Sequence, residues 1–189
     1  MNGRSSFGFT GDAGITRAEF STILLRVYAL AGGAVPGEKA VVGLDGIYDR
    51  LGSAGYSAAE LSGSVHFSDV RGTEWFGNVA GMAFGLGIVK GGEGASFDGS
   101  NEISRQEAMV MIHRLSVLVG ILRGDEGGAM GLAGFEDSGS VAGWAYESMG
   151  YGVRLGLIEG YDGYIDPAGN ITRGQTATIL QRLVVLMVK

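Results

Sequence analysis

Three pentapeptides decide how this chain reads: Ile15-Thr16-Arg17-Ala18-Glu19, Ile103-Ser104-Arg105-Gln106-Glu107 and Ile171-Thr172-Arg173-Gly174-Gln175. Each opens an apolar-periodic stretch and is followed, nine residues after its arginine, by a second arginine: Arg26, Arg114 and Arg182. Each contains S/T-x-x-E/Q, the capping box, in which the hydroxyl accepts from the third helical amide and the acid or amide side chain reaches back to the cap. Phe20, Leu24, Val27 and Tyr28 follow the first, Met109, Ile112 and Leu115 the second, and Ile179, Leu183 and Leu186 the third, at the spacing that gives a helix one buried face. The pentapeptides are therefore repeated helix starts.

Six residues before each isoleucine stands Phe9, Phe97 or Ile165, in a Gly/Asp-rich loop. In the second and third copies the match continues upstream. Phe67-Ser68-Asp69 precedes Trp75, and twelve residues on come Gly87-Ile88 and then Gly91; Phe135-Glu136-Asp137 precedes Trp144, and twelve residues on come Gly156-Leu157 and then Gly160. The first copy lacks this half, because Gly3 aligns with Gly91 and Gly160. The chain reads as two and a half repeats in a single domain, 1–189: the second half of repeat one at 3–31, a connector at 32–66, repeat two at 67–122 and repeat three at 135–189.

That connector is too long for a structureless loop in a compact domain. Ala40, Leu44, Ile47, Tyr48 and Leu51 keep helical spacing after Pro36, and Ser57-Ala58-Ala59-Glu60 is another capping box. The pattern predicts helices at about 38–51, with Gly52 as a stop, and at 58–62. One expectation is that the first of these fills the place of the helix missing from repeat one. The rivals are that the missing helix lies upstream, or that another chain completes the repeat.

Composition narrows the function classes. Hydrophobic residues are 46% and charged residues 18% of 189, enough for a folded core, and no apolar run is long enough for a transmembrane helix. The net charge of −6 gives no broad attraction to nucleic acid or anionic membrane, so any anion site must be local. Without cysteine there is no disulfide, thiolate metal site or cysteine nucleophile. No apolar segment of signal-peptide type follows Met1. His113 has no metal-ligand neighbour at helical spacing and His66 has only Asp69, Gly85–Gly91 fits no phosphate-loop pattern, and Asp162, Asp166 and Asn170 miss the calcium-loop spacing. The reading is no enzyme, no cofactor and no metal. His113 reads as a helix-surface residue.

The coordinated pattern of aromatic-x-Asp, Trp, Gly-Ile-x-x-Gly, a Gly/Asp loop and Ile-Thr-Arg-x-Glu resembles the S-layer homology family. The resemblance covers nearly all of the chain outside the connector. It implies an all-α helical bundle of three repeats with pseudo-threefold symmetry, the first incomplete at its N-terminus. It also implies a noncatalytic module that attaches extracellular proteins to the bacterial cell wall or S-layer, whose usual ligand is a secondary cell-wall polysaccharide carrying pyruvate ketals. The alternative function is a protein-interaction or self-assembly module of the cell surface layer, with no nucleic-acid partner and no membrane insertion.

On the residues themselves, an arginine at the first helical position runs against the macrodipole, which favours negative charge there. Yet Arg17, Arg105 and Arg173 stand at it in every copy. A guanidinium fork beside free backbone amides makes an anion site, and it suits a carboxylate better than lysine would. The competing reading is an ion pair with a neighbouring carboxylate, such as the Asp of the adjacent repeat. Trp75 and Trp144 are either core anchors or faces for a sugar. Asp69 and Asp137 either cap a turn or contact sugar hydroxyls. Gly87 and Gly156 shape the turn leaving the Trp helix, where φ > 0 is expected. Together these nine form the candidate polysaccharide site. Arg26, Arg114 and Arg182 read as solvated or inter-repeat contacts. Gly77, Gly81, Gly85, Gly150 and Gly152 interrupt helices with no local reason. Glycine, 36 residues in all, is enriched throughout.

Overall fold

The computed structural model describes residues 10–31, 43–64, 66–71, 73–91, 96–122 and 131–187. Among these residues there are seven α-helices and no sheet: α1 (Arg17–Leu30), α2 (Gly43–Ser53), α3 (Ala58–Leu61), α4 (Gly77–Gly85), α5 (Arg105–Leu118), α6 (Tyr146–Arg154) and α7 (Arg173–Met187). The capping boxes form as the sequence predicts. Thr16 and Glu19, Ser57 and Glu60, and Ser104 and Glu107 bond reciprocally. At α7 the Gln175 amide N–H donates to Thr172 Oγ1 at 3.2 Å, and Gln175 Oε1 accepts from the Thr172 amide at 3.1 Å. Glutamine thus serves the cap as well as glutamate does.

The three helix starts meet at the centre of the molecule. Ile103 N–H donates to the Ile15 carbonyl, Ile171 N–H to that of Ile103, and Ile15 N–H to that of Ile171, at 3.0–3.3 Å, closing a cyclic triangle. All three isoleucines are buried. Around this triangle each helix start receives a loop from the next: Arg17 and Ala18 amides bond the Asn101 and Gly99 carbonyls, Arg105 and Gln106 those of Gly169 and Pro167, and Arg173 and Gly174 those of Ala13 and Gly11. Sequence repetition has become rotational repetition.

Outside the triangle, α4 packs on α1 and α6 packs on α5. The expected helix 38–51 appears as α2, which runs through Gly52 to Ser53; residues 38–42 lie outside the described set. It packs against α1, α3 and α4. The counterpart of α4 and α6 in repeat one would cover α7, and α2 does not pack there, so the expectation that it replaces the missing helix is corrected. Its apolar face, Ile47 and Leu51, follows the nearest large hydrophobic surface, that of α1 and α4. No described helix packs closely on α7, and Val184 and Val185 on it are exposed.

The mid-helix glycines now have reasons in two cases. A Cβ on Gly81 would collide with the backbone carbonyl of Leu61, so α3 can approach α4 only where a side chain is missing. A Cβ on Gly152 would press on the end of Met109, at 2.5 Å. Both are contacts between elements, invisible to local propensity.

Candidate functional site

The first junction forms where α1 begins against the loop of repeat two. The Arg17 guanidinium carbon lies 5.9 Å from the centre of the Phe97 ring, a cation–π distance. Phe97 and Phe76 rings are 5.6 Å apart, and Trp75 stands edge-on to Phe76 at 5.5 Å. This aromatic row leads from the arginine out to solvent, because Trp75 is 67% exposed. Trp144 is 61% exposed. Neither tryptophan is the core anchor that its place at a helix start suggests; the adjacent Phe76 and Ala145 are buried instead.

Asp69 and Asp137 organise the loops. Asp69 accepts from the Phe97 and Asp98 amides at 2.7 and 2.8 Å, and Asp137 accepts from the Ile165 and Asp166 amides at 2.8 Å each. Both oxygens of each carboxylate are thus engaged with backbone. The clamped loops turn at Asp98 (φ 55) and Asp166 (φ 50), left-handed positions that aspartate tolerates better than most residues. Both aspartates are exposed; Asp98 was not singled out from sequence, and Asp166 was weighed there only for calcium.

Three expectations about the arginines change. First, the amides at the helix starts are not free: loop carbonyls and cap hydroxyls take them in all three copies. What remains for an anion is the guanidinium. Second, the ion-pair partner is not an aspartate but the capping-box glutamate of the neighbouring helix. Arg17 Nη1 lies 3.0 Å from Glu107 Oε1, and Arg173 Nη1 lies 3.2 Å from Glu19 Oε1. Burial alone would raise the Glu19 carboxyl pKa, but the Thr16 hydrogen bonds and the Arg173 charge outweigh it and hold the carboxyl below the usual value. Third, Arg105 has no such pair, because the corresponding residue on α7 is Gln175.

Two of the second set of arginines, Arg114 and Arg182, bond turns in their own segments. Arg114 Nη1 donates to the Ile88 carbonyl at 3.3 Å, and Arg182 Nη1 donates to the Gly156 and Leu157 carbonyls at 3.0 and 3.2 Å, with Arg182 Nη2 2.8 Å from Glu159. They hold the turn that Gly87 (φ 71) and Gly156 (φ 64) make possible, rather than being solvated or bridging repeats. Burial first and then the Arg17 charge lower the Arg114 pKa. Arg26 is exposed. His113 is not a surface residue: its Nδ1 meets Ser148 Oγ at 2.9 Å and its ring stacks on Tyr151 at 4.7 Å, between α5 and α6.

Two sets of candidates therefore come together. Arg17 and Asp69 contact the loop 97–101, and Trp75 reaches it through Phe76; the Gly87 turn is tied instead to Arg114. Arg105 and Asp137 meet at the loop 165–169, and Gln106 Oε1 ties the start of α5 to the Ala142 amide, two residues before Trp144, at 3.1 Å. Arg173 meets the loop 11–13 and has no tryptophan beside it among the described residues. No cluster of acidic and histidine side chains suited to a metal occurs among the described residues, and no described helix is long and apolar enough to cross a membrane.

Known proteins share this pattern. Residues 66–109 and 134–177 each match the S-layer homology domain. Over 170 residues, 89% of this chain and 7% of the relative, it is 24% identical to an amylopullulanase of Thermoanaerobacterium thermosulfurigenes. It is 32% identical to a surface layer protein of Brevibacillus choshinensis over 59% of this chain and 8% of the relative. To a middle cell wall protein of Brevibacillus brevis it is likewise 32% identical, over 54% of this chain and 8% of the relative. The chain thus spans a small fraction of these relatives' length. Both matched segments begin just before an aromatic-x-Asp clamp and end within the helix opened by the arginine motif, so segments 66–109 and 134–177 are two tandem S-layer homology domains.

Proposed function

We propose that this chain is a noncatalytic, extracellular cell-wall anchoring module that binds an anionic secondary cell-wall polysaccharide bearing pyruvate ketals. The observation that carries the reading is a half-buried guanidinium placed, in two junctions of an acidic protein, in the same loop environment as a largely exposed tryptophan. A sugar ring can lie on the indole while a ketal carboxylate meets the arginine fork. The aspartates support this by fixing the loops. Repeat one contributes its helix start and Arg173 would supply a third, weaker junction; several sites on one polymer act by avidity. The surface-layer and cell-wall relatives agree with this role, and the amylopullulanase is expected to share the anchor rather than its chemistry.

The test is co-sedimentation of the chain with purified wall sacculi before and after removal of the secondary polymer, beside Arg105→Ala and Arg17→Ala. Retention only on polymer-bearing walls, weakened by an arginine change, is expected. Retention indifferent to polymer and to both arginines overturns the reading. The exposed Val184 and Val185 on the uncovered α7 favour the second reading, a self-assembly module. It requires a concentration-dependent rise in mass on sedimentation that Val184→Ser abolishes.

A further inference from the structure

The three arginines occupy equivalent places in a cycle, yet their partners differ. Arg17 on α1 reaches Glu107 on α5, and Arg173 on α7 reaches Glu19 on α1. The remaining step of the same order runs from Arg105 on α5 to position 175 on α7, where the sequence has glutamine. Its neighbouring backbone makes that step real: the Arg105 amide bonds the Gly169 carbonyl and the Ile171 amide bonds that of Ile103. Gln175 keeps both cap hydrogen bonds, so replacing the acid by its amide removes the ion pair and leaves the helix start intact.

Nearby carboxylates do not take over. Glu107 is committed to Arg17 and to its own cap at Ser104, and Glu159 to Arg182. Arg105 Nε is shut off from solvent and has no hydrogen-bond partner. That nitrogen is closed to a ligand, so an incoming carboxylate meets the terminal nitrogens of the Arg105 fork, where no resident acid competes. Arg17 Nε is also unpartnered, but there the incoming anion meets a resident carboxylate that already holds Nη1. At Arg173 the resident is Glu19.

We propose that Gln175 makes the Arg105 junction, between repeats two and three, the principal carboxylate-binding site of this protein, ahead of the Arg17 and Arg173 junctions. The inference rests on the polysaccharide reading above and assigns its sites an order. Glutamate at this position acts as a built-in competitor; glutamine removes the competitor and its like charge.

The experiment follows the arginine side-chain Nε–H signals of the full chain by NMR while titrating the methyl glycoside of a hexose carrying a 4,6-pyruvate ketal. The methyl ester of that ketal is the neutral control. Arg105 is expected to respond at a concentration about tenfold below Arg17 and Arg173, the size of effect one partly screened like charge produces. Gln175→Glu, which restores the residue found in the other two copies, should raise the concentration for Arg105 about tenfold. Glu107→Gln, which keeps its cap in the way Gln175 does, should lower that for Arg17. Equal responses of the three arginines, or an Arg105 affinity unmoved by Gln175→Glu, overturn the order of sites while leaving the polysaccharide reading standing. No response to the ketal, or an equal response to the ester, overturns that reading and this inference with it.

Discussion

Asp137 shows what a single carboxylate does here. It accepts from two consecutive amides and so fixes the turn at Asp166 on which the start of α5 rests. Asp137→Ala leaves both amides unpaired and should cost about 2–3 kcal/mol in urea denaturation. Asp137→Asn keeps one good acceptor and should lose roughly half as much. An unchanged midpoint in the alanine variant would mean that the loop holds itself. The aspartate was legible in the sequence as a turn residue, but its partners, 28 and 29 positions away, were not. The arginines teach a similar lesson. Their repetition announced a common role, whereas the identity of their partners depended on which helix the cycle brings next.

At the scale of elements, helix starts were the most legible feature because a capping box is a local device. Ser104→Ala should cost about 1 kcal/mol. Helix contacts were less so, and Gly81 separates the two kinds of information. Helix propensity alone says that alanine there gains about 1 kcal/mol. The contact with the Leu61 carbonyl says that it loses instead, by about 2–3 kcal/mol, because α3 must move off α4. Gly87→Ala is a different case. Space is open around it but φ is +71°, so a loss of about 1 kcal/mol is expected from backbone strain alone. Thermal or urea midpoints of the two variants decide between these accounts. Trp75 and Trp144 were ambiguous for the same reason: a periodic pattern marks one aromatic as buried, and only the fold shows that its neighbour takes that place.

For the molecule as a whole, the cycle predicts how stability responds to acid. Burial between α5 and α6 lowers the His113 pKa below 6.5, with the Arg114 and Arg154 charges adding to burial against the opposing Glu147. The unfolded chain therefore binds more protons than the native one below pH 6.5. Stability should be flat above that value and fall as pH drops through the window beneath it. His113→Gln should flatten this limb. Glu19 acts lower: its native pKa is held beneath 4.5, so its contribution is present above pH 4.5 and is lost as pH falls through the native value. Glu19→Gln should remove that second limb while sparing the cap. Denaturation midpoints measured from pH 8 to pH 3 test both, and a curve without the upper limb would remove His113 from the account. Two repeats, matched at 66–109 and 134–177, were readable from spacing. That α2 would settle on α1 and α4 was not, because an amphipathic face says that it must be covered and not by what.

The isoleucine triangle also constrains the order in which the chain acquires its shape. Arg173 and Glu19 meet across 154 positions, and Ile171 completes the ring that Ile15 begins. During synthesis the first helix start can latch onto the 97–107 segment once that has emerged, but the ring closes only when Ile171 follows. Closing so long a loop is slow although its entropic cost grows only with the logarithm of length. The ring is thus a clasp between the ends of this fold, in which the helix start at Ile171 supplies the closing bond to Ile15.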